Sequence, residues 1–117
     1  MAVIEWARDT SYQGAAGFVV LECGPVTSAD TVAELDLSTN RDAIIDLEVE
    51  GTFDGATVTM QGGNASGVAA TLKDTSGANM AFTATGGGIA GRQPLFVNAG
   101  ISGAGGSTSL TLRAVVR

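Results

Sequence analysis

Between Ile45 and Lys73 apolar residues stand at every second position and glycines break the run twice, a period that extended chain satisfies and a helix does not. Ile45, Leu47 and Val49 fall on one side of the first segment, with Asp46, Glu48 and Glu50 on the other. Gly51-Thr52-Phe53-Asp54-Gly55 interrupts it, since glycine accepts backbone angles that side-chained residues avoid. Alternation resumes with Ala56, Val58 and Met60 against Thr57, Thr59 and Gln61, stops at Gly62-Gly63-Asn64, and returns with Val68, Ala70 and Leu72. The segments read as consecutive half-buried strands of a meander.

The rest of the chain repeats this theme. Val3 to Trp6 opens extended, and Arg8 to Gly17 is polar, with Asp9, Ser11, Gln13, Gly14 and Gly17 marking a loop. Phe18-Val19-Val20-Leu21 is a continuous apolar run, either a strand buried on both faces or an arm lying on another subunit, and Gly24-Pro25 ends it. From Thr27 to Asn40 neither period is clean; the spacing predicts a strand near Val32 to Leu37, with a loop or one short helical turn capped by Asp30 as the alternative. Asp74-Thr75-Ser76-Gly77 is turn chemistry, Met80, Phe82 and Ala84 alternate again, and Gly86-Gly87-Gly88 interrupts. A strand is expected at Leu95 to Ala99, a glycine-rich loop at Gly100 to Gly106, and a last strand with Leu110, Leu112, Ala114 and Val116 on one side.

Roughly seven or eight short strands parted by glycine turns, without an amphipathic helix, predict an all-β fold: a single-domain antiparallel β-sandwich, jelly-roll-like. At 117 residues such a domain buries roughly two-thirds of its unfolded surface without a disulfide or metal. Residues 1–17 are expected as an N-terminal extended arm or loop and residues 18–117 as the sandwich domain. Ile45, Leu47, Val49, Val58, Met60, Leu72, Phe82, Leu95, Val97, Leu110 and Leu112 are expected in one core.

Composition narrows the chemistry. The chain has no histidine, which removes Ser-His and Cys-His hydrolases, and Lys73 is the sole lysine for a Ser-Lys arrangement. The single Cys23 forms no intrachain bridge and reads as a small buried hydrophobe in a reducing cytosol. A net charge of −6 argues against nucleic acid, whose phosphates demand basic surface. Charge is also unevenly spread: residues 1–50 hold ten acids and two arginines (2 − 10 = −8), residues 51–117 two acids and four basic residues (4 − 2 = +2). The start of the chain lacks the basic region and apolar core of a signal peptide, and no stretch reaches membrane-spanning length, so a soluble, unprocessed product is expected. The sequon Asn64-Ala65-Ser66 then goes unused.

Two motifs suggest chemistry. Gly86-Gly87-Gly88-Ile89-Ala90-Gly91 matches a dinucleotide-binding fingerprint, but Pro94 follows where that motif needs a helix, and a plain glycine loop is the reading. Asp46, Glu48 and Glu50, with Asp54 just beyond, line one strand face as a glycosidase pair or calcium site would. Alternating acids also describe a solvated strand face, and no stacking aromatic or calcium loop accompanies them. No catalytic residue, metal or cofactor is expected.

The stretch Glu50 to Gly63, EGTFDGATVTMQGG, resembles small proteins encoded beside the major capsid protein in tailed-phage genomes. Those chains read Gly-Thr-Phe, a Gly link, an alternating Val/Thr strand, a Gly-Ser-Asn-Asp-Gly turn, an Asp-x-x-Gly turn, a Phe-Thr strand, a Pro-aromatic-β-branched segment and a closing glycine loop. Here Gly51-Thr52-Phe53, Asn64 to Gly67, Asp74 to Gly77, Phe82-Thr83, Pro94-Leu95-Phe96-Val97 and Ser102 to Leu112 follow in that order. Asn64-Ala65-Ser66-Gly67 replaces the usual acidic turn, and Asn98 stands where an arginine often follows the Pro segment. Residues 1–44 resemble no family.

The resemblance implies a virion structural protein, a capsid decoration or cement protein on the outside of a phage head, made in the host bacterial cytoplasm. Its implied partners are the major capsid protein and itself, as a homotrimer, with no nucleic acid and no membrane. Glu5, Asp9, Asp30, Glu34, Asp36 and Asp42, with the run Phe18, Val19, Val20 and Leu21, are the expected capsid contacts. The charge-poor second half is the expected self-contact. The alternative is a carbohydrate- or receptor-binding β-sandwich of a head or tail fibre, which needs exposed aromatics from among Trp6, Tyr12 and the four phenylalanines.

Overall fold

A computed structural model describes residues 2–8, 19–38, 44–91 and 94–116. In chain order the strands are β1 (Ala2–Ile4), β2 (Ala7–Arg8), β3 (Val19–Val26), β4 (Asp30–Val32), β5 (Leu35–Asp36) and β6 (Ile45–Thr52). There follow β7 (Thr57–Gly63), β8 (Ala70–Thr71), β9 (Ala81–Phe82), β10 (Gly86–Ile89), β11 (Phe96–Ser102) and β12 (Ser109–Val116). They form two five-stranded sheets, β10-β6-β12-β3-β2 and β5-β11-β7-β8 with β9 also on β7, plus a parallel β1-β4 pair. All pairings within the two large sheets are antiparallel. The fold is the expected all-β sandwich: β5, β7, β8, β9 and β11 build one large sheet, and β2, β3, β6, β10 and β12 the other.

Period-two patterning fixes the inward face. Ile45, Leu47 and Val49 of β6 and Leu110, Leu112, Ala114 and Val116 of β12 meet Val58 and Met60 of β7 and Val97 and Ala99 of β11 in one buried cluster. Two expected core residues sit further out: Phe82 is partly buried and Leu95 lies outside the cluster. Met80 takes the deep position instead, at 1% exposure. The backbone places it there: Met60 N–H donates to Met80 O (2.8 Å), Met80 N–H to Leu72 O (2.9 Å) and Leu72 N–H to Met60 O (2.9 Å), and all three side chains are buried. Val68, expected to alternate inward, is 45% exposed.

Several connections differ from expectation. The turn Phe53 to Ala56 does not fold β7 back beside β6, so the meander is replaced by a crossing between sheets. Asp54 and Gly55 have φ of 45° and 86°, and Ala56 N–H donates to Phe53 O at 2.9 Å, so this is a tight turn of the kind that usually closes hairpins. Here Glu50 to Thr52 pair with Ser109 to Thr111, which turns the strand ends apart. Gly86–Ile89 is a strand on β6 rather than an interruption, and a Cβ on Gly87 would lie 2.6 Å from Leu47 O. Only glycine allows that approach. Gly24-Pro25 lies inside β3, at the place where β3 has one residue more than β12 between Cys23↔Leu112 and Val26↔Leu110. This bulge accommodates a proline that cannot donate to the ladder. β11 runs through Gly100 to Ser102, which shortens the expected loop. The Val32 to Leu37 segment is two strands, β4 and β5, broken at Ala33-Glu34.

Both flanks of the sandwich are closed. On one, β1 pairs with β4, Ile4 O accepts from Ala33 N–H (2.9 Å) and from the Cys23 thiol (3.3 Å), and the Trp6 indole N–H donates to Ala33 O (2.9 Å). The described part of the N-terminal segment is therefore extended and lies along the body, with Ile4 and Trp6 packed on the core. On the other flank the hairpin around Asp74 reaches β10: Thr75 N–H donates to Ile89 O (3.1 Å) and Gly91 N–H to Lys73 O (2.8 Å).

Candidate functional site

Outward positions of the first sheet carry charge. Arg113 on β12 stands opposite Glu22 on β3 and Glu48 on β6, with Glu50 one diagonal step away. Its Nε donates to Glu22 Oε2 at 3.1 Å, Nη1 to Glu48 Oε1 at 2.7 Å and Nη2 to Glu50 Oε1 at 3.0 Å. The hydrogen bonds it donates to Glu48 first and then to Glu50 hold the guanidinium proton more tightly than usual. Three carboxylates on one arginine leave this face acidic, with Asp46 beside them. Sequence reading treated these acids as simply solvated and missed Arg113. The usable signal was one cation in the outward phase of β12, between Thr111 and Val115.

Outward positions of the second sheet carry none of this. Thr57, Thr59 and Gln61 of β7 face out beside Asn98, Gly100 and Ser102 of β11, because their neighbours Val58, Met60, Val97 and Ala99 face the core. Thr71 on β8 and Ala81 on β9 continue the same rows. Gln61 lies over Gly100, where a Cβ would be 3.1 Å from Oε1. At one end Val68 covers Gly63, its Cβ 2.6 Å from where a Gly63 Cβ would stand, next to half-buried Phe96. Charge returns only toward the margins of these rows: Asp36 stands opposite Phe96 on the edge strand β5, Glu34 bonds Gly67 N–H beside Val68, and exposed Lys73 lies two residues beyond Thr71. The asymmetry seen along the chain thus becomes one between faces.

The described residues among the expected capsid contacts lie on several elements, namely the β1-β2 link, β3, β4, the β4-β5 link and β5. Asp9, Phe18 and Asp42 lie outside the described residues. Val19, Val20 and Leu21 form the start of β3 inside the first sheet, and Val20 is only 3% exposed. Three of the acids accept hydrogen bonds within the chain. Asp30 accepts from Thr27 N–H and hydroxyl (2.9 and 2.8 Å), Glu34 from Gly67 N–H and the Ser66 hydroxyl (2.8 and 2.6 Å), and Asp36 from Ser38 N–H (2.9 Å). Each carboxyl is consequently held below its ordinary range: Asp30 by Thr27 N–H first, Glu34 by Gly67 N–H first, Asp36 by the Ser38 hydroxyl first. Asp30 closes a turn, not a helix. Glu5 is exposed between β1 and β2.

The other motifs resolve as structure. Asp54 accepts from Ser107 N–H at 2.9 Å and tethers the loop after β11, while Glu48 and Glu50 hold Arg113. Among the described residues no three Cys, Asp or Glu side chains form a metal-binding group. The fingerprint glycines Gly86, Gly87 and Gly88 belong to strand β10 and Gly91 follows it, and among the described residues no helix stands behind them to meet a phosphate. A shallow concavity of about 350 Å³, lined by Gly62, Ala70, Thr71, Leu72, Lys73 and Gly91, offers one cation and one hydroxyl in a mostly apolar wall. Burial, then Glu5, pushes the Cys23 thiol up to about 11, so it is no nucleophile. No helix among the described residues is long and apolar enough to cross a membrane. Comparisons with family models, curated proteins and solved structures return no match to this chain.

Proposed function

We propose that the chain is a structural virion protein, a decoration or cement protein on the outside of a tailed-phage head, made in the bacterial cytoplasm and acting as a homotrimer. The observation that carries this reading is the division of the surface into an acidic outer face on β6, β12 and β3 and an uncharged amide and hydroxyl face on β7 and β11. A cement protein must hold a shell subunit and a copy of itself at once, and two faces of different chemistry supply two contacts. The resemblance at Glu50 to Leu112 supports it, since its motifs coincide with the sheet crossing at Phe53, the turns at Asn64 to Gly67 and Asp74 to Gly77, and strands β9, β11 and β12. The acidic face and Glu5 are assigned to the shell.

The test is co-sedimentation of the purified protein with undecorated tailed-phage heads built from the major capsid protein of the same genome. Saturable binding at a fixed copy number per shell is expected; heads that pellet without the protein at every concentration would end the proposal. A carbohydrate-binding module is less well supported, because Trp6 is tied to Ala33 and Phe53 is buried.

A further inference from the structure

We infer that the notch at the open edge of β8 binds the carboxyl-terminal residue of an extended peptide, with its carboxylate on Lys73 and its apolar side chain against Ala70 and Leu72. The site belongs to the second sheet, not to the acidic face, and the inference goes beyond the decoration reading without resting on it. Backbone geometry opens this edge for one step only. β8 ends its sheet, and Leu72 N–H donates to Met60 O at 2.9 Å. Successive residues of a strand turn their backbone groups to opposite sides, so Thr71, paired with Gln61, aims its N–H and C=O away from β7. Two residues on, the corresponding carbonyl of Lys73 is already taken by Gly91 N–H at 2.8 Å. An incoming strand can pair at Thr71 and finds no carbonyl beyond it. A segment running through is stopped there, whereas a chain end fits.

Side-chain phase makes the notch. Gly62 and Ala70 stand opposite each other in the phase that Val58, Met60 and Leu72 use to fill the core. Two such small residues leave room, and Ala70 is exposed despite its phase while Leu72 beside it is buried. The concavity of about 350 Å³ that results, closed on its far side by Lys73 and Gly91, has the size of a small ligand pocket. Charge completes it. Lys73 is exposed, is the sole lysine, and makes no ion pair among the described residues. Its neighbour Asp74 turns Oδ1 to the Ser76 N–H and hydroxyl and to Ala78 N–H. An edge amide and carbonyl, an apolar notch and an ammonium group complement the backbone, side chain and carboxylate of a terminal residue.

Amide chemical shifts of the isotope-labelled chain, titrated with the peptide N-acetyl-Gly-Ala-Leu, test this without any shell. Saturable shifts are expected at Gly62, Thr71, Leu72, Lys73 and Gly91. Amidating the peptide carboxylate should raise the dissociation constant at least about fivefold. Lys73→Gln should weaken the free acid by a similar factor and leave the amidated peptide unaffected. Isocaproate, which keeps the leucine side chain and carboxylate but lacks the backbone, should bind at least about fivefold more weakly than the peptide. Ala70→Leu, which fills the notch, should abolish binding, and its amide spectrum reports whether it is folded. The amidated peptide and isocaproate need no variant, so they decide the matter if it is not. Absence of saturable shifts at these amides, equal affinity for acid and amide, or isocaproate binding as tightly as the peptide would overturn the inference. Because no shell takes part, the decoration proposal stands or falls separately by co-sedimentation.

Discussion

Arg113 and Glu48 face each other across the β12-β6 ladder with Nη1 2.7 Å from Oε1, and the same guanidinium reaches Glu50 and Glu22. Arg113 is 24% exposed and its partners 42 to 50%, so solvent screens each pair. Its importance lies in joining three neighbouring strands through one planar group that a lysine cannot imitate.

Replacing Arg113 by Gln is therefore expected to cost about 1 kcal/mol at low salt, with the loss shrinking in molar salt, because three carboxylates then repel without a counter-charge. Urea melts at two ionic strengths measure it. A loss independent of salt would mean that packing, not charge, governs the site.

Val58 is fully buried between the sheets, and Val58→Asp should destabilise the fold by about 3 kcal/mol or more, since the carboxylate finds no partner there. A change below about 1 kcal/mol in denaturant melts would show that the register of β7 is wrong.

Gly87→Ala should cost about 1 to 3 kcal/mol, because its Cβ would stand 2.6 Å from Leu47 O and force β10 off β6. Gly106, with open space around it, is the control: Gly106→Ala should stay within about 0.5 kcal/mol. Hydrogen exchange on β10 amides should speed up in the first variant alone.

Acid should destabilise the protein through Asp74, whose carboxyl is held low by the Ser76 hydroxyl first and then Ala78 N–H. Because the folded value lies below the unfolded one, this stabilisation is complete above the unfolded value of about 3.9 and is lost as pH falls through the folded value. Asp74→Asn should thus lose stability at pH 6 and show a shallower decline in melting temperature toward pH 2. Parallel declines in the two proteins would count against the role of Asp74.

If the chain docks on a shell as proposed, docking should slow as ionic strength rises while release changes less, because exposed carboxylates steer encounter and apolar contacts resist dissociation. Stopped-flow binding to undecorated heads separates the two rates. An on-rate indifferent to salt would remove the acidic face from the shell contact.

The alternation of Ile45, Leu47, Val49, Val58 and Met60 determined strand type and inward phase from sequence alone, because side chains on an extended chain point to opposite faces whatever the strand pairs with. For the same reason β12 and most of the core were legible. Which strand pairs with which is decided by backbone hydrogen bonds between distant residues, and nothing in side-chain period reports them. Hence the Asp54-Gly55 turn, local chemistry for a hairpin, became a crossing between sheets, and Gly86–Gly88, with no side chains to show a period, became a strand. The charged residues followed the same rule. Counting acids located an acidic half of the chain, but only the folding of β3, β6 and β12 into one sheet brought Glu22, Glu48 and Glu50 around Arg113, while Asp30 and Asp36 went to local turns and Glu34 to the distant turn at Ser66 and Gly67.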